Sequence, residues 1–161
     1  MKTLLLMRHA KSDLNEKVED RQRSLSKRGK KNAERMGELL KEEKISLDLI
    51  LASNANRARQ TADLVIEAMK YHGDRCYLNR LYMAEVETYV QELVGLNDEV
   101  NALLIIGHNP ALESLLQMMT GKIESLPTAA VAQLKLPIDA WKDFQTETQA
   151  ELVKFWRPKE L

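Results

Sequence analysis

The sequence predicts an α/β fold, namely a single-domain three-layer arrangement with a mainly parallel sheet, helices on both faces and an antiparallel edge strand. Short apolar runs such as residues 4–7 and 103–106 alternate with stretches of helical periodicity, which is typical of parallel βαβ units. The last two strand-like runs, 128–136 and 151–156, follow each other without a clear helix, so one of them is expected to be the antiparallel edge. A chain of 161 residues is most simply one domain, spanning 1–161.

The first elements follow from local patterns. Met1 to Met7 forms a buried strand, and the polar residues 10–25 form a loop. A helix begins at Ser26, which can cap it, and runs to about Lys44. Its buried stripe has helical spacing and comprises Ala33, Met36, Leu39 and Leu40.

The second strand and helix follow directly. Leu47 to Ala52 is a short apolar strand, Ser53 or Asn54 can cap the next helix, and Gly73 can end it. The buried face of this helix is predicted to be Ala58, Ala62, Val65 and Met69. Residues 76–78 form a third strand, in which Cys76 packs as a small apolar residue.

The second half repeats this alternation. An amphipathic helix is expected from Glu85 to Leu96, and the strand Ala102 to Ile106 follows it. Asn109 can cap the next helix, with Pro110 at its first position. The expected inward residues are Val86, Val90, Leu93 and Val94 in the first helix and Leu112, Leu115, Leu116 and Met119 in the second, which Gly121 ends.

Composition bounds the partners. The formal net charge is zero, so nothing indicates a strong global attraction to nucleic acid or to a membrane. Residues 1–60 nevertheless hold 15 Lys and Arg against 9 Asp and Glu, a balance of +6. This excess fits either an anionic ligand or solvated helix faces such as 27–31.

The cellular location is expected to be cytoplasmic. No apolar run approaches the length of a membrane span, and the N-terminus lacks the pattern of a signal peptide. Cys76 is the single cysteine, which excludes a disulfide within the chain. The oligomeric state is not indicated.

Two histidines come directly after apolar strands. Arg8 and His9 follow the first strand, His108 follows the strand 102–106, and Arg57 falls in the first turn of a helix. The carboxyl ends of parallel strands meet at one edge of a sheet, where ligands bind. Arg binds anions, and a helix N-terminus favours phosphate binding. A neutral His can attack phosphorus. We therefore expect a phosphoryl-transfer site at this edge of the sheet. Arg59, on the same helix as Arg57, is expected to face solvent.

Three blocks resemble the histidine phosphatase superfamily in order and spacing. MRHAKSDLN (7–15) is similar to its Arg-His-Gly signature, with Ala10 in place of Gly. SNANRARQTA (53–62) and LIIGHNP (104–110) are similar to the blocks that carry its second phosphate-binding Arg and second His. The Ala variant and the short chain are similar to the SixA-like phosphohistidine phosphatase branch.

The resemblance implies roles at named positions. His9 would be the nucleophile, and Arg8, Arg57 and His108 would form the phosphate pocket. Asn15 and Ser12 would contact the substrate. The acidic proton donor of larger relatives has no clear match, and Glu85 is the nearest candidate. No metal and no cofactor are implied.

Three functions are compatible with these residues. The leading hypothesis is a metal-independent phosphatase that acts on phosphohistidine in a protein. The alternatives are a phosphatase of small phosphoesters and a non-catalytic module that binds phosphate. A mutase is disfavoured, because no second basic cluster is evident where the superfamily usually has one.

Overall fold

Six strands form one mixed sheet in the computed structural model, which describes all residues 1–161. The strand order is β3-β2-β4-β1-β5-β6. The strands are β1 (Lys2–Arg8), β2 (Leu49–Ser53), β3 (Asp74–Leu78), β4 (Ala102–Gly107), β5 (Val131–Leu136) and β6 (Glu151–Trp156). β1, β2, β3 and β4 are parallel, whereas β5 runs antiparallel to both β1 and β6. The predicted antiparallel edge is therefore confirmed, with β6 as the edge strand.

Four helices cover the two faces of the sheet. They are α1 (Lys27–Glu42), α2 (Asn56–Met69), α3 (Val86–Val94) and α4 (Ala111–Thr120). α1 and α2 share one buried core with Leu5 and Met7 of β1, whereas α3 and α4 share the other with Leu4 and Leu6. Alternate residues of a strand point to opposite faces, so β1 contributes to both cores. The predicted three-layer fold is confirmed.

Two helix ends follow from the local residue chemistry, and a third does not. Ser26 caps α1 as predicted, because its side chain accepts a hydrogen bond from the Gly29 amide. α4 ends at Gly121, whose φ of 73° is left-handed and favours glycine. The end predicted for α2 at Gly73 is wrong, since Lys70 adopts the left-handed conformation after Met69.

Two further burial predictions are wrong. Cys76 is exposed, because it lies in the edge strand β3, whose first three residues are uncovered. Val94 is also exposed, and α3 instead buries Tyr89 with Leu93. The predicted inward stripe of this helix does not include Tyr89, which is fully buried. No helix is long and apolar enough to cross a membrane.

The sheet brings three strand ends together. β1 and β4 are parallel neighbours in which Arg8 pairs with Gly107, so His9 and His108 leave the sheet side by side. β2 lies on the other side of β4, with Ala52 paired to Ile106. Ser53 consequently lies at the same edge as the two histidines.

Candidate active site

The two histidines predicted to share an edge lie next to each other. Their ring centroids are 5.1 Å apart, with the planes tilted by 54°. Each residue is only 8% exposed. The architecture therefore places two nearly buried imidazoles at the carboxyl end of a parallel sheet, where ligands of such folds bind.

One nitrogen of His9 is fixed by the backbone. Its Nδ1 lies 2.7 Å from the carbonyl oxygen of Ala10. A carbonyl can only accept, so this contact places the proton on Nδ1 and leaves the lone pair on Nε2. The Ala10 amide in turn donates to Thr61 Oγ1 at 2.9 Å, which helps to fix the residue whose carbonyl orients the ring. The Nε2 of His9 is therefore unprotonated and keeps its lone pair.

His108 is held by two hydroxyl groups. Its Nε2 lies 2.8 Å from the Oγ of Ser53, which is fully buried. Its amide donates to the hydroxyl of Tyr89 at 3.3 Å. A Cβ at Gly107 would overlap that hydroxyl, so the glycine permits the close approach of Tyr89.

Ser53 also sets the tautomer of His108. The Ser53 Oγ already accepts a hydrogen bond from the Ala55 amide at 3.2 Å. Its own proton needs an acceptor, because a buried hydroxyl is costly when unpaired, and Nε2 of His108 is within reach. In this arrangement His108 carries its proton on Nδ1.

Arg57 is fixed by a loop residue that the sequence did not single out. Its guanidinium donates to the Asp20 carbonyl at 2.8 Å and to the Asp20 carboxylate at 3.1 Å. The same carboxylate accepts from Arg23 at 2.8 Å and from the Tyr82 hydroxyl at 2.7 Å. These bonds hold the pKa of Asp20 well below its usual range, with Tyr82 as the largest cause and Arg23 next. Asp20 is therefore ionised and positions Arg57.

Arg8 has few partners within the protein. Its Nη1 makes one long contact, 3.4 Å, to the carbonyl of Leu126. Its Nε is buried and has no hydrogen-bond partner. Buried donors are normally paired, so this unpaired N–H marks Arg8, which lines the cavity described below, as a cation that the protein itself does not satisfy.

Both histidines are electrically neutral at pH 7. Burial lowers the pKa of His9 to about 3, and the nearby cations contribute in the same direction. Burial, followed by Arg57, lowers the pKa of His108 to about 4. A neutral imidazole retains the lone pair that nucleophilic attack requires.

His9, Arg8 and Arg57 open into one cavity of about 610 Å³. Its wall carries five more cations, Lys11, Arg23, Arg28, Arg157 and Lys159, and one acid, Glu160. Such a wall attracts negatively charged ligands. No group of three or more His, Cys, Asp or Glu side chains is arranged to hold a metal ion.

The other predicted site residues, Ser12, Asn15 and Glu85, do not lie together in the structure. Ser12 lines the cavity, and its hydroxyl accepts a hydrogen bond from Arg23. Asn15 is exposed and does not line the cavity. Its backbone amide donates a hydrogen bond to the Asp13 carboxylate at 2.9 Å. Glu85 is an exposed residue at the start of α3, and its carboxylate bonds to no site residue. Neither Asn15 nor Glu85 is brought to the histidines.

Ser53, Asp20 and Tyr89 were missed as site residues. Ser53 was considered only as a helix cap, although it ends a strand and the strand-end reasoning applied to His9 covers it as well. Asp20 lies in a polar loop without periodicity, and Tyr89 is in the middle of a helix. Their roles depend on contacts with distant residues, for which the local sequence carries no signal.

Comparison with known proteins gives concordant matches. Residues 4–75 match the family model of the histidine phosphatase superfamily, branch 1. The uncharacterized protein Rv1276c of Mycobacterium tuberculosis is 34% identical over 165 residues, which cover 95% of this chain and all of that relative.

Solved structures agree over nearly the whole chain. A SixA protein from Agrobacterium tumefaciens has a TM-score of 0.84 and 28% identity, covering 98% of each chain. The protein histidine phosphatase SixA in complex with tungstate has the same TM-score and coverage at 23% identity, which shows a common fold. The chain therefore belongs to the histidine phosphatase superfamily, in its SixA-like branch.

Proposed function

We propose that this protein is a metal-independent phosphatase that forms a phosphohistidine on His9 and that its substrate is phosphohistidine in a protein. The observation that carries the proposal is the pairing of a neutral His9, its Nε2 lone pair directed away from the Nδ1 anchor, with the unpaired Nε of Arg8. A nucleophile and a free donor for phosphoryl oxygens thus line one cavity. The 28% identity to a SixA protein supports the choice of substrate.

The first step transfers the phosphoryl group to His9. Nε2 attacks phosphorus, the new P–N bond forms, and the P–N bond of the substrate breaks with its electron pair going to the leaving nitrogen. Arg8, Arg57 and the Nδ1 proton of His108 stabilise the charge on the phosphoryl oxygens. A substrate imidazole that carries a proton on its other nitrogen leaves as neutral imidazole and takes up no further proton.

The second step releases phosphate. Water attacks the phosphorus on His9, the P–Nε2 bond breaks, and its electron pair returns to Nε2. Both protons of the water leave with the product as dihydrogen phosphate, and His9 is again neutral with its proton on Nδ1.

Neither Asp20 nor Glu85 is placed to protonate a leaving group, and this affects which leaving groups can depart. Asp20 is held ionised, and Glu85 is exposed without a bond to the site. An alkoxide needs a proton as it leaves, whereas a neutral imidazole does not. This difference favours phosphohistidine over alkyl phosphoesters as the substrate.

The test is turnover of a phosphohistidine-bearing protein beside p-nitrophenyl phosphate and alkyl phosphates, with wild type and His9→Ala, in a metal chelator. We expect the phosphoprotein to be preferred, and His9→Ala to lose turnover of every substrate. Arg59→Ala is a matched control, because Arg59 is exposed and stacks over Tyr77 at 4.5 Å instead of lining the cavity.

Each other outcome rejects a defined part of the proposal. Preference for an alkyl phosphate would keep the chemistry and make the protein a small-molecule phosphatase. Turnover lost in chelator and restored by a metal would reject metal independence. Binding of tungstate without turnover of any substrate would indicate a module that only recognises phosphate.

A further inference from the structure

Part of the cavity wall lies beyond the residues that the proposed reaction uses. Lys11, Arg28, Arg157 and Lys159 line the same cavity as His9, and we refer to these four residues as the basic wall. Lys11, Arg28 and the neighbouring residues Arg157 and Lys159 come from three distant parts of the sequence. The sequence alone therefore does not show them as one cluster. The fold thus assembles a second group of cations from separate parts of the chain.

The charges of the basic wall are largely uncompensated. Arg157 forms ion pairs with Glu124 at 3.6 Å and Glu160 at 3.9 Å and stacks over Phe155 at 3.8 Å. Lys11, Arg28 and Lys159, in contrast, are exposed and form no ion pair, so their charges remain free for a ligand.

Backbone contacts bring these cations together. The Ser26 amide donates to the Lys11 carbonyl at 2.9 Å, which joins the loop after β1 to the start of α1. A Cβ at Gly29 would overlap the same carbonyl, so glycine allows this close approach. The C-terminal turn Pro158–Glu160 contacts α1 as well. The loop after β1, the first turn of α1 and the C-terminus therefore converge on the cavity.

The number of cations exceeds the need of one phosphoryl group. A phosphoryl group carries up to two negative charges. Arg8 and Arg57 already serve it, and the remaining free cations repel one another in a concave site unless a ligand neutralises them. A ligand with one anionic group would leave this repulsion in place.

We propose that the basic wall is a second anion subsite, which binds a carboxylate or phosphate carried by the substrate beside its phosphoryl group. The inference rests on the proposed function and narrows the substrate to compounds with two anionic groups. The second anion could come from an acidic side chain flanking a phosphohistidine or from a second phosphate of a small molecule.

The experiment measures binding with two pairs of uncleavable ligands. The first pair is a peptide with a stable phosphonate analogue of phosphohistidine, flanked either by Asp and Glu or by Asn and Gln. The second pair is methylphosphonate and a short alkane bisphosphonate. Wild type is compared with R28Q/K159Q and with K30Q/K31Q, which removes two charges from exposed residues of the same helix outside the cavity wall.

We expect wild type to prefer the ligand with the additional anion by about three- to thirtyfold, as two partly exposed ion pairs allow. The preference should fall to about twofold or less in R28Q/K159Q, persist in K30Q/K31Q and weaken in high salt. Preference within the peptide pair alone identifies a protein as the source, and preference within the phosphonate pair alone identifies a small molecule.

Two results would overturn the subsite. One is equal binding within both ligand pairs by wild type, and the other is a preference that R28Q/K159Q retains. Because the ligands are not cleaved, these results are independent of turnover. A protein that binds as expected but hydrolyses no phosphohistidine would refute the proposed function and leave the subsite standing.

Discussion

Strand β1 carries a cation at each end, and the two cations have opposite surroundings. Lys2, at the first end, is 2% exposed, and its ammonium donates to the carbonyls of Asp98 and Val100 and to the Asn101 side chain at 2.7–3.2 Å. Arg8, at the last end, has one contact of 3.4 Å and a buried Nε without a partner.

The contrast separates structural from functional charge. A buried cation that the protein satisfies with three oxygens stabilises the fold, since removing it takes a donor from each of those oxygens. A cation that the protein leaves unsatisfied costs stability and is available to a ligand. The carboxyl end of the sheet is therefore prepared for an anion, whereas the opposite end is closed.

The largest expected effect tests this contrast directly. Arg8→Met should lower kcat/KM by about 10²- to 10³-fold, as the loss of an oxyanion donor does, while leaving the free energy of unfolding unchanged or raising it. Lys2→Met should have the opposite effects. It should lower the free energy of unfolding by roughly 1–3 kcal/mol and leave kcat/KM of the folded protein normal. Denaturant titration and steady-state kinetics measure both, and parallel losses in both variants would contradict the distinction.

A second comparison concerns two arginines of one helix. Arg57→Ala should reduce kcat/KM by about 10²-fold or more, because Arg57 faces the cavity and Asp20 fixes its guanidinium. Arg59→Ala should change kcat/KM less than about twofold, since exposed positions away from the site contribute little. Equal effects in kinetic assays would show that the position of Arg57 has no functional meaning.

Acid should lower the free energy of unfolding through His9 and His108, which lie at the carboxyl end of the sheet. The pKa values of about 3 for His9 and about 4 for His108 lie below the unfolded value near 6.5, so below pH 6.5 the unfolded chain binds more protons. Each histidine should remove roughly 2 kcal/mol of stability between pH 7 and pH 5.

The matched variants isolate this contribution. His9→Gln should reduce the loss of stability between pH 7 and pH 5. His72→Gln, at an exposed histidine, is the matched control. Denaturant titrations at both pH values provide the comparison. An identical loss in wild type and His9→Gln would show that His9 is already protonated in the folded protein near pH 5.

The smallest expected effect concerns the hydroxyl behind His108. Ser53→Ala removes the 2.8 Å contact to Nε2 and should lower kcat about tenfold or less, because His108 can then adopt either tautomer. Ser53→Thr keeps the hydroxyl and should retain more activity where its methyl group is accommodated. A normal kcat in Ser53→Ala would mean that the tautomer of His108 is set by other contacts.

Much of the fold could be predicted because it depends on local patterns. The stripes of α1 and α4 and the alternation of strands with helices determined the layers, and His9 and His108 were placed by the position of strand ends. Asp20 and Lys159 could not be found this way, since the fold brings each of them to the site from a distant part of the sequence. Cys76 was misjudged for the same reason, because residue type does not reveal which strand is at an edge.

The central claim is that His9 carries the phosphoryl group during turnover. The most direct measurement mixes the protein rapidly with excess substrate, quenches in alkali, which preserves phosphohistidine, and maps the modified residue by mass spectrometry. We predict phosphate on His9 that appears during the first turnover and disappears when the substrate is exhausted. Full turnover with no phosphorylated residue at any time, or with phosphate on a different side chain, would contradict the mechanism.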